Sequence, residues 1–319
     1  MRIRFFIIIF FVVLVTGCRP KKNAGSAASY TIATLRGPSS MGMIQLIDSL
    51  KNAENTDFRV EFLNEPIQVR KMMLDGSADF AILPTTMAAI LYNKGLDYRL
   101  IAVPVWGTLY LFGEDTTITG WSNLLHKRVN VMEKGMTPDV LFRYLLQKHG
   151  INPDKDVVLD YSFPTHIDLA NAVAAGQAKL GVISEPLVSL VMQRNKKVRP
   201  IFDLNKEWNN VQGTPIAQTA FLGKGKLLQE NPKMAEQLIA AYDKSTRWVN
   251  QNPDSAATLI VKYGILPDKN VASQSIPRSN LNFVRARGIS EEIEEYLSIF
   301  YSMNPEIIGG KLPDENFYY

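Results

Sequence analysis

The sequence predicts an α/β protein of two lobes, each a mainly parallel sheet flanked by helices, with two crossing strands as the hinge. Three observations carry this. Short β-rich runs alternate with stretches of helical apolar spacing, and such alternation implies parallel pairing in a sheet covered on both faces. The alternation comes as two series in tandem rather than one. Two apolar segments, near Trp106–Leu111 and Ala217–Leu222, read as strands passing between the lobes.

In the first series Tyr30–Leu35 (YTIATL) is a strand, and Met41–Leu50 is a helix with Met43, Leu46, Ile47 and Leu50 at helical spacing. Phe58–Leu63 is a strand, Ile67–Leu74 a helix, Phe80–Leu83 a short buried strand, Thr86–Tyr92 a helix and Arg99–Val105 a strand. The second series has strands at Arg128–Met132, Val157–Tyr161 and Leu180–Ile183. Helices at Pro138–His149, Thr165–Ala175 and Pro186–Arg194 separate and follow them. Val198–Leu204 and Ala217–Gly223 are extended, and the remainder reads as helical, at Met234–Gln251, Ser255–Tyr263 and Ser290–Ser302.

Arg2 and Arg4 precede an apolar stretch from Phe5 to Val15, which ends in Thr16-Gly17-Cys18. A basic start, a short apolar run and small residues at its end make a secretory signal, too short for an ordinary membrane span. Val15-Thr16-Gly17-Cys18 resembles a bacterial lipobox, in which the signal is cut before the cysteine and the thiol acylated. Residues 1–17 are then a signal peptide and 18–29 a lipidated, flexible tether, and the protein is held outside the cytoplasm at a bacterial membrane. Several acyl chains anchor stably where one does not.

Of the 319 residues 46% are hydrophobic and 21% charged, the balance of an ordinary globular chain with room for one large domain or two lobes. The net charge of +4 falls to about +2 once Arg2 and Arg4 leave with the signal, too little to argue for nucleic acid. Cys18 is the one cysteine, so no intramolecular disulfide can form and the core alone holds the fold.

In open α/β sheets ligands collect where strands end and helices begin. Four such junctions stand out. Gly37-Pro38-Ser39-Ser40-Met41-Gly42 offers hydroxyls and free N–H groups, either as an ordinary cap or as a ligand cradle. Pro84-Thr85-Thr86 is again hydroxylic. Gly135-Met136-Thr137-Pro138-Asp139 reads as a helix start with Thr137 as its N-cap. In Ser184-Glu185-Pro186 the carboxylate either caps the helix or meets the ligand. Asp139 and Glu185 occupy the favourable end of their helix dipoles, where they repel a compact dianion and accept from an amine or a ring N–H. The expected ligand is therefore small, polar and nitrogen-bearing rather than a small sulfonate or nitrate.

No catalytic constellation emerges. His126, His149 and His166 fall in separate segments without metal-type spacing; His149 closes a helix, and the other two read as solvated. Gly309-Gly310-Lys311 is followed by Leu312, so it is no phosphate loop. Catalytic residues, metal and cofactor are all expected to be absent, and the protein is expected not to be an enzyme.

At these same loops the chain resembles the type II periplasmic solute-binding proteins of the nitrate, sulfonate, taurine and thiamine-precursor group, which feed ABC importers. The matching stretches are Leu35–Gly42 (LRGPSSMG), Asp75–Asn93 (DGSADFAILPTTMAAILYN), Val129–Leu146, Ala175–Pro186 (AGQAKLGVISEP) and Asn304–Tyr319. The resemblance implies two lobes that close on ligand as a hinged clamp, with residues 30–106 and 217–319 in one and 107–216 in the other. It implies that Ser39, Ser40, Met41, Thr85 and Thr86 face the cleft from the first lobe, and Met136, Thr137 and Glu185 from the second. Trp106 at the hinge and Thr214 near the second crossing are further expectations. The implied partners are a small-molecule ligand, an ABC permease with its ATPase and the membrane, with the receptor itself a monomer. Three other readings remain: a ligand-sensing lipoprotein that serves a signalling receptor, an enzyme on the same fold, and a lipoprotein with a vestigial cleft and a structural role. Thiamine-pyrimidine synthases, one such group of enzymes, bring a cysteine-rich motif that this chain lacks.

Overall fold

The computed structural model describes residues 30–53, 56–132 and 134–319. The expected signal, tether and lipidation at Cys18 lie outside the described residues. The strands are β1 (Tyr30–Leu35), β2 (Phe58–Leu63), β3 (Phe80–Pro84), β4 (Tyr98–Val105), β5 (Leu109–Gly113) and β6 (Arg128–Val131). They continue with β7 (Val158–Asp160), β8 (Leu180–Ser184), β9 (Arg199–Asp203), β10 (Thr219–Lys224) and β11 (Leu281–Arg285).

Two sheets form, ordered β11-β4-β10-β3-β1-β2 and β7-β6-β8-β5-β9. In the first, β1 pairs parallel with β2 and β3, while β10 runs antiparallel between β3 and β4. In the second, β6 pairs parallel with β7 and β8, while β5 runs antiparallel between β8 and β9. The sheets are thus mixed. The reversed strands β5 and β10 are the first that the chain enters after each crossing, so every crossing inserts one strand against the prevailing direction.

Central strands are apolar on both faces because helices cover both. Ile82 and Phe221 pack in one buried cluster, while Leu83 and Leu222, their sequence neighbours, pack in another. The period-two alternation of side chains sends adjacent residues to opposite faces. The cluster around Leu83 continues into the second sheet's side through Leu109, Leu141 and Trp208, so the lobes share apolar packing. Trp208 sets its ring edge-on to Tyr296, with centroids 5.8 Å apart.

The two crossing segments touch. Gly107 N–H donates to Ile216 O over 2.9 Å. Asn205 Oδ1 accepts from Ile216 N–H over 3.0 Å, and a Cβ on Gly107 would stand 2.3 Å from that same oxygen. Only glycine allows so close an approach, and any side chain at 107 would push the crossings apart.

Several expectations need correction. The helix expected over Met41–Leu50 is two, Pro38–Gly42 and Ile44–Asn52, hinged at Met43. Trp106–Thr108 is not strand, and β5 begins at Leu109. The tail is not wholly helical, because β11 pairs with β4 as an edge strand. Helices Leu204–Gln212, Gly225–Glu230 and Lys269–Ser275 went unread. Each is short, and isolated short helices owe their stability to packing rather than to a long periodic signature.

Candidate functional site

The four junctions read from the sequence meet in pairs between the sheets. On the first lobe, Gly37 takes φ of 150°, a conformation that side chains disfavour, and turns β1 into the helix Pro38–Gly42. Ser40 Oγ folds back on this turn, accepting from Gly37 N–H over 3.2 Å and donating to Gly37 O over 3.1 Å. Ser39, Ser40 and Met41 are all buried, and Tyr242 OH donates to Ser39 O over 2.9 Å. Across the gap stands the fourth junction, with Pro186 Cδ 3.8 Å from where a Cβ on Gly37 would lie.

Thr86 and Thr137 come together from opposite lobes, their hydroxyl oxygens 2.9 Å apart. Each sits at the start of a helix, Thr85–Asn93 and Thr137–Lys148 respectively. Thr137 is the first helical residue rather than the expected N-cap, a position held by Met136. Met136 is 39% exposed, an uncommon setting for a large apolar side chain in this molecule.

Beside this contact lies a group of hydroxyls that the sequence reading found only in part. Thr85 N–H donates to Gln218 O over 3.1 Å, and Thr108 N–H to Gln218 Oε1 over 2.6 Å. Thr219 follows Gln218 in the chain. The hydroxyls of Thr85, Thr108 and Thr219 are buried, and none has a hydrogen-bond partner among the described residues. Buried hydroxyls are normally paired, so three unpartnered ones on residues that bond to Gln218 or adjoin it stand out.

The two carboxylates of the second lobe are both engaged. Asp139 accepts from Gly135 N–H (2.7 Å), Arg143 Nε (2.9 Å) and Tyr161 OH (2.6 Å). Burial, together with Asp139 alongside, pushes the Tyr161 phenol up to about 12. Glu185 accepts from Ser189 N–H (3.1 Å) and Ser189 Oγ (2.8 Å), and it forms an ion pair with Arg278 Nε at 2.5 Å. Its side chain is wholly buried, whereas that of Arg278 is 29% exposed. Burial pushes the Glu185 carboxyl up, and Arg278 and Ser189 pull it back only in part.

The expectation of an amine-accepting cleft rested on free carboxylates at 139 and 185. Both already hold cations or hydroxyls of this chain, so that premise fails. The helix Leu187–Arg194 opens after Pro186, and Glu185 caps it from outside by accepting from Ser189 N–H.

Trp106 packs at the hinge, its N–H and its indole Nε1–H donating to Asn280 O (3.1 Å) and Asn282 O (2.8 Å). Thr214 lies partly exposed on the second crossing. A cavity of about 570 Å³ lined by Trp106, Asn205, Pro215, Ile276, Pro277 and Asn280 shares only Trp106 with the expected site residues. Two of its asparagines are bonded to hinge backbone, Asn205 to Ile216 and Asn280 to Gly107. Among the described residues no group of three or more His, Cys, Asp or Glu gathers as a metal site.

Gln218, Thr108, Thr219 and Arg278 were missed from sequence. Arg278 fell in a tail read as helical, and Pro277 was the available sign that the helix stops there. The three others lie within the crossings Trp106–Leu111 and Ala217–Leu222, which read as strands passing between the lobes.

Comparison with known proteins accords with this architecture. A family model described as ABC transporter, phosphonate, periplasmic substrate-binding protein matches residues 39–242. YtlA of Bacillus subtilis (strain 168), named as a binding protein, is 27% identical over 156 residues, 49% of this chain and 45% of that one. The chain thus spans less than half the length of that relative. The crystal structure of an ABC transporter from Parabacteroides distasonis has 25% identity and a TM-score of 0.79, covering 92% of this chain and 99% of that one. The aliphatic sulphonate binding protein SsuA from Escherichia coli shares the fold, with a TM-score of 0.72 at 15% identity over 91% of this chain and 93% of its own. The chain belongs to the family of periplasmic substrate-binding proteins of ABC transporters that the phosphonate model describes.

Proposed function

We propose that this protein is the ligand receptor of an ABC importer, an exported lipoprotein acylated at Cys18 that works as a monomer. Its two lobes, residues 30–106 with 217–319 and residues 107–216, close over a small polar organic molecule and present it to a permease and its ATPase. The observation that carries this reading is the trio of buried, unpartnered hydroxyls on Thr108 and Thr219 in the two crossings and on Thr85, whose N–H bonds to Gln218 of the second crossing. Closure brings ligand-facing groups of both lobes together, and ligand stabilises the closed form by its differential affinity for it.

The ligand carries an oxyanion, in the phosphonate or sulfonate class. Helix Thr85–Asn93 has no acid in its first turn, and its N-terminus and hydroxyls favour negative charge. With Asp139 and Glu185 each engaged by an arginine, no free carboxylate of the two opposes an anion. The family model and the sulphonate-binding neighbour point the same way.

The test is thermal unfolding of the chain from Ala24 onward against alkylphosphonates, alkylsulfonates, nitrate, pyrimidines, thiamine precursors and amino acids. A ligand at about a hundredfold over its dissociation constant adds roughly 2.7 kcal/mol. That moves the midpoint by several degrees, and the oxyanions are expected to do so. Shifts confined to cationic or neutral members would overturn the ligand class; no shift with any member would overturn the receptor reading.

A further inference from the structure

We propose that Arg278, Glu185 and Ser189 form a latch that holds the two lobes closed without help from ligand. The proposal rests on the reading of the molecule as a two-lobed clamp. Arg278 belongs to the segment that runs into β11 of the first sheet, whereas Glu185 and Ser189 follow β8 of the second. One guanidinium spans the gap twice, through Nε to Glu185 and through Nη2 to Ser189 Oγ at 2.6 Å. Tyr110 OH of β5 adds a third bond across the same gap, donating to Arg278 O over 3.1 Å. None of these bonds involves a hydroxyl of the unpartnered trio, so the latch and the ligand do not compete for the same atoms.

Arg278 is also tied to the hinge. Two residues on, Asn280 donates to Gly107 O and accepts from Trp106 N–H, with φ at 44°. The segment that carries the arginine is therefore fixed against the first crossing, and its side chain reaches the second lobe from a rigid base.

The two ends of the latch are unequal. In the closed form Glu185 has no exposed side-chain surface, so loss of Arg278 leaves a buried carboxyl without its cation. Opening rehydrates that carboxyl, and the equilibrium moves towards open. Loss of the Glu185 charge leaves an arginine with 29% of its side chain exposed, which solvent compensates in part. Removal of Arg278 must therefore open the clamp more than neutralisation of Glu185. Replacement of both ends by apolar groups of similar size removes the buried charge altogether and restores closure.

The experiment measures the interlobe distance by pulsed dipolar spectroscopy on ligand-free protein. Spin labels go on Leu74→Cys and Val158→Cys, both exposed and one on each lobe, in a full chain carrying Cys18→Ser. The expected result is one short-distance population in the parent, and at least a tenfold rise in the open-to-closed ratio for Arg278→Met. Glu185→Gln gives a smaller rise, and Glu185→Leu with Arg278→Met returns the short distance. A parent that is mainly open, or an Arg278→Met distribution that overlays the parent's, overturns the latch. Should Arg278→Met fail to fold, Ser189→Ala decides: a rise in the open form supports the latch and an unchanged distribution overturns it. No ligand enters this measurement, so its failure is distinct from failure of the ligand panel.

Discussion

The two faces of the cleft are built from the same parts and use them differently. The first lobe presents hydroxyls at a helix start and at a strand start, and two of them, on Thr85 and Thr219, are buried without partners among the described residues. The second lobe presents carboxylates at equivalent places, and both are spent inside the protein, Asp139 on Arg143 and Tyr161, Glu185 on Arg278 and Ser189. A polar group at a strand end is therefore not a ligand contact by virtue of position. What matters is whether its hydrogen-bonding capacity has already been consumed. The first lobe keeps unpartnered hydroxyls, whereas the acids of the second lobe bond within their own lobe and, through Glu185, to Arg278 of the first.

Four substitutions or titrations break or sharpen this contrast. Arg278→Met is expected to have the largest effect, with a loss of about 3 kcal/mol in the ligand-free protein, near the lower end for a broken buried pair because the arginine is partly exposed. Differential scanning calorimetry would register this as a fall of several degrees. Asp139→Asn comes next. It weakens the bonds to Arg143 and Tyr161 and costs about 2 kcal/mol by chemical denaturation, with ligand affinity unchanged. Affinity lost without stability would instead make Asp139 a ligand contact.

Thr85→Val should show the reverse pattern. The hydroxyl has no protein partner to lose, so unfolding by urea stays within about 0.5 kcal/mol of the parent. Ligand affinity falls about tenfold, near 1.4 kcal/mol for one hydrogen bond to a charged group. An unchanged affinity would remove Thr85 from the site. The smallest expected effect belongs to His166, whose imidazole burial holds down to about 4 against an ordinary 6.5. Between those values the unfolded chain takes up a proton that the folded one refuses, so stability falls as pH drops from about 6.5 towards 4. His166→Asn should flatten that part of a stability–pH profile; a profile of unchanged slope would show that His166 does not contribute to it.

Much of the fold was legible because its signals are local. The alternation at Phe80–Leu83 and Thr86–Tyr92 states a strand and a helix in few residues, and β3 and the helix Thr85–Asn93 lie there. Edge strand β11 was illegible because Leu281–Arg285 (LNFVR) is short and its pairing with β4 is set over a long sequence separation. The junctions could be read as places, and the structure brings Thr86 to Thr137 and Glu185 to Arg278. Their occupancy could not be read. Whether Glu185 faces a ligand or an arginine 93 residues away is decided by tertiary packing, and no spacing in the sequence encodes it.

The central claim is that the cleft's open hydrogen-bonding capacity belongs to hydroxyls and helix N–H groups rather than to carboxylates. Calorimetric titration with ligands matched in size tests it directly, an alkylphosphonate and an alkylsulfonate against the alkylamine of the same carbon chain. Binding of the oxyanions with no heat from the amine is the predicted result. Tighter binding of the amine would contradict the account, because it would require a free carboxylate where the structure pairs both.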